Sequence, residues 1–323
     1  RNGGIVREMS GYLRKGVYKN SIMGDYVFST TSKSLIKDTY SSHKQLPTVS
    51  YIVIRLMNLL FRYKVCAGKN DRTISGTQLI ISSGLSERKV FDYANNLVLT
   101  KYASIKKLHR CNEDKKYFSK SFKVPSTVCI NDSDSTIIEE LILHSQFETE
   151  TVFRELCHSI TDYIKTESLM KVKDGYIEQC QSFASHFGQS KLLYGELGQL
   201  CIITHGDLWS SNIISNGSDV YITDFERVGE RYFLYDFFTF VFTEWLLNED
   251  SSLINGYFRG EYDNYLQSIF NAVNVLFDKN KKEEYLLPFL VTYVYERLKM
   301  PSKLDEKIKT FLQVFVPSYY ESI

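Results

Sequence analysis

The chain has 323 residues, of which 43% are hydrophobic and 24% charged, with 23 Tyr, 21 Phe and only 5 Pro. That length allows a sizeable core in one large or two modest domains, and the scarcity of proline argues against long disordered linkers. A formal net charge of +1 excludes a strongly basic or acidic protein as a whole, yet residues 1–70 hold 12 Lys/Arg against 3 Asp/Glu.

Residues 1–46 are rich in Ser, Tyr and Lys and carry no assignable pattern. Residues 47–65 predict a helix starting near Pro47, with Ile52, Leu56, Leu59, Leu60 and Tyr63 at helical spacing. It is either a basic interfacial helix or one packed on the neighbouring domain. Residues 73–103 predict strand, Gly84 turn, strand, hairpin and strand, with the hairpin at Asn95-Asn96, because Asn tolerates positive φ. A short charged helix over 105–119 and strands over 123–130 and 135–143 follow.

From residue 148 the pattern turns helical, with Phe153, Leu156, Ile160 and Ile164 on one face, and a second helix is predicted over 174–187. Residues 199–224 interrupt it with strand, loop and strand, and aromatic-rich helices run from 233 onward. The predicted fold class is therefore α+β. It has a basic extension with one helix (1–72), a small β-rich lobe (73–143) and a larger, mostly helical lobe (144–323).

Cys66, Cys111, Cys129, Cys157, Cys180 and Cys201 are scattered without a C-x-x-C pair, as reduced cytosolic thiols are. No secretory pattern and no uninterrupted apolar run of about 18 residues occurs. A cytoplasmic protein is expected. The basic residues 1–70 are either a solvated face or the part that meets an anionic surface such as a membrane.

The segment that carries chemistry is CIITHGDLWSSNIISNGSDVYITDFE, residues 201–226. Two short apolar runs each deliver polar residues at their ends: His205-Gly206-Asp207 and Asn212 after the first, Asp224 after the second. Transfer of a phosphoryl group from ATP needs a carboxylate to position the attacking hydroxyl. It also needs oxygen ligands for Mg²⁺, a hard cation that takes one or two carboxylates together with the phosphates. Asp207 suits the first task, Asn212 and Asp224 the second. The competing reading is that these residues only cap a hairpin.

H-G-D-x-x-x-x-N followed by a hydrophobic strand and Asp resembles the catalytic and metal-binding loops of the aminoglycoside phosphotransferase/choline kinase family, relatives of the protein kinases. HGDLWSSN is also similar to the loop of fructosamine kinases, although Phe225-Glu226 replaces the proline usual there and the glycine of protein kinases. The resemblance implies a bilobal protein-kinase-like fold and an ATP- and Mg²⁺-dependent kinase acting on a small-molecule or glycan hydroxyl. No nucleic-acid partner is expected. Asp207 is then the base, Asn212 and Asp224 the metal ligands, and His205 a structural residue.

It further implies that Gly84 turns over the phosphates and that Lys101 grips them. Glu113 or Asp114 would pair with Lys101, and Glu139–Ile142, with Glu140 and Ile142 at its centre, would form the adenine-binding hinge. Each also has an ordinary reading, as an exposed strand lysine, a solvated helix face or an edge strand. Tyr235-Asp236 is implied to be structural, or is a helix N-cap. Phe237, Phe238, Phe240, Phe242, Glu244 and Trp245 suit a cation or equally a stacked sugar, but an aromatic stripe at helical spacing is more often buried core. The alternative to an enzyme is a pseudokinase-type binding or scaffold module.

Overall fold

The structure is a computed structural model. It describes residues 12–13, 17–19, 64–66, 74, 76, 78–81, 87–145, 147–167, 170–171, 200–297 and 303–317. Residues 47–63 of the helix expected over 47–65, Gly84, the helix expected over 174–187 and most of the basic residues 1–70 lie outside these. Two compact units result: residues up to Ser119 with Lys123–Phe147 and Ile214–Thr223, and Lys120–Phe122 with Glu148–Ile213 and Asp224–Ile323. The break near Phe147 lies close to the expected one at 143, but the short hairpin after the HGD loop belongs with the first unit.

In the first unit, β1 (Val17–Lys19) pairs antiparallel with β2 (Lys64–Cys66). The expected helix over 47–65 is thus corrected at its end, where Lys64-Val65 is strand: β-branched Val65 pairs opposite Tyr18. Then come β3 (Gln78–Ile81), β4 (Glu87–Asp92), β5 (Leu97–Tyr102), helix α1 (Ile105–Phe118), β6 (Thr127–Asn131) and β7 (Thr136–Glu140). They form one antiparallel sheet in the order β3-β4-β5-β7-β6.

Local chemistry sets this register. Asp92 accepts the N–H groups of Ala94 and Asn95, and Asn96 takes φ 54°, so the β4–β5 turn closes where the Asn pair stands. Strand β6 starts later than expected because Pro125 has no N–H to give a ladder. Ser104 caps α1 by accepting from the Lys107 N–H at 3.2 Å.

The second unit opens with α2 (Thr149–Thr166), whose apolar stripe Val152, Phe153, Leu156, Ile160 and Ile164 is buried. Strands β8 (Met170–Lys171) and β9 (Leu200–Thr204) follow. The hairpin β10 (Ile213–Ser215) and β11 (Val220–Ile222), which belongs with the first unit, comes next in the chain, and the second unit resumes with β12 (Gly229–Tyr232). Strand β9 lies between β12 and β8 in one sheet.

The chain finishes in helices α3 (Tyr235–Asn248), α4 (Ser252–Arg259), α5 (Asp263–Ala272), α6 (Lys282–Arg297) and α7 (Lys303–Phe315). Helix α3 is apolar all round and is the centre of this unit. Phe153 packs on Phe237, Phe240 and Tyr262 at ring-centroid distances of 5.2, 5.1 and 5.0 Å. Phe242 meets Tyr293 at 5.0 Å and Phe311 at 4.9 Å. Each such pair contributes about 0.5–1.5 kcal/mol beyond the area it buries. Phe237, Phe238, Phe240 and Phe242 are therefore core, and the reading that gave them to a ligand is corrected: over residues 235–244 the helix is buried all round and offers no face to solvent. Among the described residues no helix is long and apolar enough to cross a membrane.

Candidate active site

Strand β9 carries the chain into His205-Gly206-Asp207, and α3 holds that turn from behind. The buried Asp236 carboxylate accepts the His205 N–H at 2.7 Å and the Gly206 N–H at 2.8 Å. Burial pushes the Asp236 carboxyl above its ordinary range, while the neighbouring His205 ring and the two N–H donors pull it back. Asp236 is thus a loop anchor and not a helix N-cap, a position taken by Leu234.

Gly206 is required by the backbone. It sits at φ +76°, and a Cβ there would collide with the Arg227 carbonyl oxygen and the Arg231 guanidinium. His205 is fully buried, lies edge-on to Phe225 at 5.1 Å, and accepts the Asp207 N–H on Nδ1 at 3.3 Å. This is an orienting role.

Asn212 closes the loop. It ends a short 3-10 turn (Ser210–Asn212), and its Nδ2 donates to the Asp207 carbonyl at 2.8 Å. The nitrogen being so engaged, the side-chain oxygen is the atom it offers a cation. Asp224 stands at φ 67°, ψ 74°, unusual for a residue with a Cβ, and its carboxylate accepts the Glu226 N–H at 3.4 Å. Such backbone strain is retained where the surroundings over-determine it, often at functional sites. Glu226 brings a further carboxylate two residues on.

Among the described residues no group of three or more His, Cys, Asp or Glu is arranged to hold a metal ion. One amide and one or two carboxylates fit a cation that takes its remaining ligands from phosphate oxygens and water, as Mg²⁺ does.

Two arginines that sequence reasoning missed meet Asp207. Arg297, at the C-terminal end of α6, donates from Nη2 to Asp207 Oδ1 at 2.5 Å and to the Gly206 carbonyl at 2.7 Å. Its guanidinium lies over the Tyr293 ring at 5.2 Å. Burial lowers the Arg297 pKa most, but the Asp207 charge and hydrogen bond together with Tyr235 and Tyr293 more than offset it, so the net shift is upward. Arg227 Nε is 3.8 Å from Asp207 Oδ2. Arg231 binds Glu296 at 2.7 Å, Thr204 Oγ1 at 3.1 Å and the Arg227 carbonyl at 2.9 Å. Arg297 is 90 residues from Asp207, a separation at which no local pattern carries a signal.

In the first unit, Lys101 lies on β5 between Arg88 of β4 and Thr136 of β7. The expected partner Glu113 is exposed, and no ion pair joins it to Lys101 among the described residues. The helix phase explains this: α1 buries Leu108, Cys111, Asn112, Lys115 and Phe118, and Glu113 falls off that face. Asp114 pairs with Arg110 at 3.6 Å. The buried charge on α1 is Lys115, which pairs with Glu139 of β7 and donates to Thr127 Oγ1 at 2.9 Å. In the expected hinge, the Glu140 N–H is used by Ser126 and the Leu141 N–H by Asn96. Ile142 is buried, and its main-chain groups enter no hydrogen bond among the described residues.

No protein-family model and no curated protein matches the chain. Among solved structures, a thermostable mutant of an aminoglycoside phosphotransferase, in a ternary complex with ADP and hygromycin B, matches with a TM-score of 0.50. That match has 11% identity and covers 77% of this chain and 95% of the other. Weaker likenesses include an amicoumacin kinase in complex with AMP-PNP, Ca²⁺ and Ami (TM-score 0.43, 13% identity, 76% and 86% covered). Another is an aminoglycoside phosphotransferase from Streptomyces rimosus (TM-score 0.38, 13% identity, 66% and 92% covered). The strand-rich unit followed by the helical one is a protein-kinase-like fold. More narrowly, it is the fold seen in aminoglycoside phosphotransferases.

Proposed function

We propose that the chain is an ATP-dependent phosphotransferase whose acceptor is a hydroxyl of a small molecule or glycan. The observation that carries this reading is the anchored loop: Asp236 grips His205 and Gly206, Asn212 is tied to the Asp207 carbonyl, and the Asp207 carboxylate is held at a fixed point. Pre-positioned groups of this kind supply most of the catalysis in phosphoryl transfer.

In this reading Asp207 is the base and Asn212 with Asp224 holds Mg²⁺. Bound Mg²⁺ supplies neutralisation of phosphate charge. The acceptor hydroxyl donates its hydrogen bond to Asp207, its oxygen bonds to the γ-phosphorus, and its proton passes to the carboxylate. The β–γ bridging oxygen leaves with the electron pair, giving ADP. Lys101 and the main chain at Glu140–Ile142 serve the nucleotide. An adenine edge needs main-chain groups that the protein leaves unbonded, and those of Ile142 make no hydrogen bond among the described residues.

The second reading, a binding module without transfer, is favoured by one observation: Arg297 and Arg227 already pair with Asp207. Thermal unfolding with ATP, with and without Mg²⁺, together with ADP release in the presence of candidate acceptors, separates the two. At about 100 times its dissociation constant a ligand adds roughly 2.7 kcal/mol of stability. Transfer predicts a Mg²⁺-dependent rise, ADP release that Asp207→Ala abolishes while keeping that rise, and a weakened rise in Asp224→Ala. A rise without any ADP release supports the binding module.

A further inference from the structure

The arginines at Asp207 are not alike. Arg297 is committed: it is mostly buried, hydrogen-bonded to Asp207 and Gly206, and stacked on Tyr293. Arg227 has a fixed root and an open head. Its carbonyl accepts from Arg231 Nη1 at 2.9 Å and packs against Gly206, so its main chain is clamped beside the HGD turn. Its guanidinium makes no hydrogen bond among the described residues. The side chain is 47% exposed, and its one ion pair, to Asp207, is at 3.8 Å. Five N–H donors in a planar fork match a carboxylate or phosphate group.

Of the three arginines here, Arg297 is held by Asp207 at 2.5 Å and Arg231 by Glu296 at 2.7 Å, whereas the Arg227 pair is the long one, at 3.8 Å. Of the residues that would have suited a cationic acceptor, Phe237, Phe238, Phe240, Phe242 and Glu244 are buried in the core.

We propose that the acceptor is an anion, with a carboxylate or phosphate group near the hydroxyl that receives the phosphoryl group, and that Arg227 binds this anionic group. The inference rests on the phosphotransfer reading above and adds the substrate class to it. An anion brought to the Asp207 carboxylate would be repelled, and the two guanidinium groups offset that repulsion, one on each partner. The bonds made and broken are those already given. Arg227 takes no proton and acts only as a specificity determinant.

The test uses the full chain with MgAMP-PNP bound, so that the γ-phosphate position is filled, and sulfate as a probe that needs no particular acceptor shape. Saturable stabilisation by sulfate is expected in the wild type. Arg227→Gln should weaken it by about tenfold or more, and Arg227→Lys should retain part of it. Glucuronate, glucose and glucosamine share a ring and differ in charge. The acidic sugar alone should stabilise, through Arg227. An equal sulfate response in wild type and Arg227→Gln, or stabilisation by glucosamine in preference to glucuronate, overturns the proposal. So does a loss in Arg227→Gln confined to MgAMP-PNP, which would put this residue on the nucleotide. The MgAMP-PNP response of the wild type stands apart from these arms: its absence defeats the phosphotransfer reading itself.

Discussion

Asp236→Asn tests whether the HGD loop is held from α3. The carboxylate accepts two main-chain N–H groups, at 2.7 and 2.8 Å, from a buried position. Asparagine has almost the same volume, so no cavity forms. Its amide presents one acceptor oxygen to that pair of donors and turns an NH₂ group towards the other. One hydrogen bond to a charged group becomes neutral, a loss of about 1 kcal/mol, and one buried N–H is stranded at about 1–3 kcal/mol. The range is therefore about 2–4 kcal/mol. Burial already pushes the Asp236 carboxyl above its ordinary range, so a neutral side chain recovers part of the loss, and the lower end, about 2 kcal/mol, is expected. For a unit of this size that lowers Tm by roughly 4–8 °C. Scanning calorimetry reads the shift, and ADP release should fall along with it because Asp207 loses its fixed position. A variant that melts within about 1 °C of wild type and turns over normally would refute the anchor.

The Lys115–Glu139 pair gives a second prediction, in the first unit. Lys115→Met leaves the Glu139 carboxylate, 18% exposed, without its cation, and should cost about 2 kcal/mol. Adding Glu139→Leu should restore much of that, and a double variant no better than the single one would show that packing matters here and charge does not. Alkaline pH gives a third. Burial pushes the Cys201 thiol up to about 11 from 9.0, and Cys157 and the buried Tyr235 and Tyr257 are raised by burial too. A raised folded value means stability that is complete below the unfolded value and is lost as pH climbs through the folded one. Urea midpoints should fall between about pH 9 and pH 11, with Cys201→Ser reducing the loss. A flat profile over that window would contradict the burial of these groups.

Much of the architecture was legible because it is written in local chemistry. The Asn95-Asn96 hairpin, the helix after Ser104 and the apolar stripe of α2 each follow from residues within a few positions of one another, whereas the start of β6 was read too early, before Pro125. The HGD loop was legible for the same reason: glycine is needed at φ +76°, and Asp207 and Asn212 meet through one short turn. Charge alone misled on α1. Glu113 and Lys115 are equally polar in sequence, and only packing against the sheet decided which of them is buried and which is solvated.

The sequence by itself determined the order of strands and helices, the turns between them and the residue types offered to chemistry. The tertiary structure decided which side chains come together across long separations. It brought Asp236 under His205 and Gly206, turned the aromatic face of α3 into core, and set Arg297 and Arg227 beside Asp207. No periodicity encodes those meetings. They depend on where α3 and α6 pack in the helical unit, which is set by the summed burial of aromatic surface.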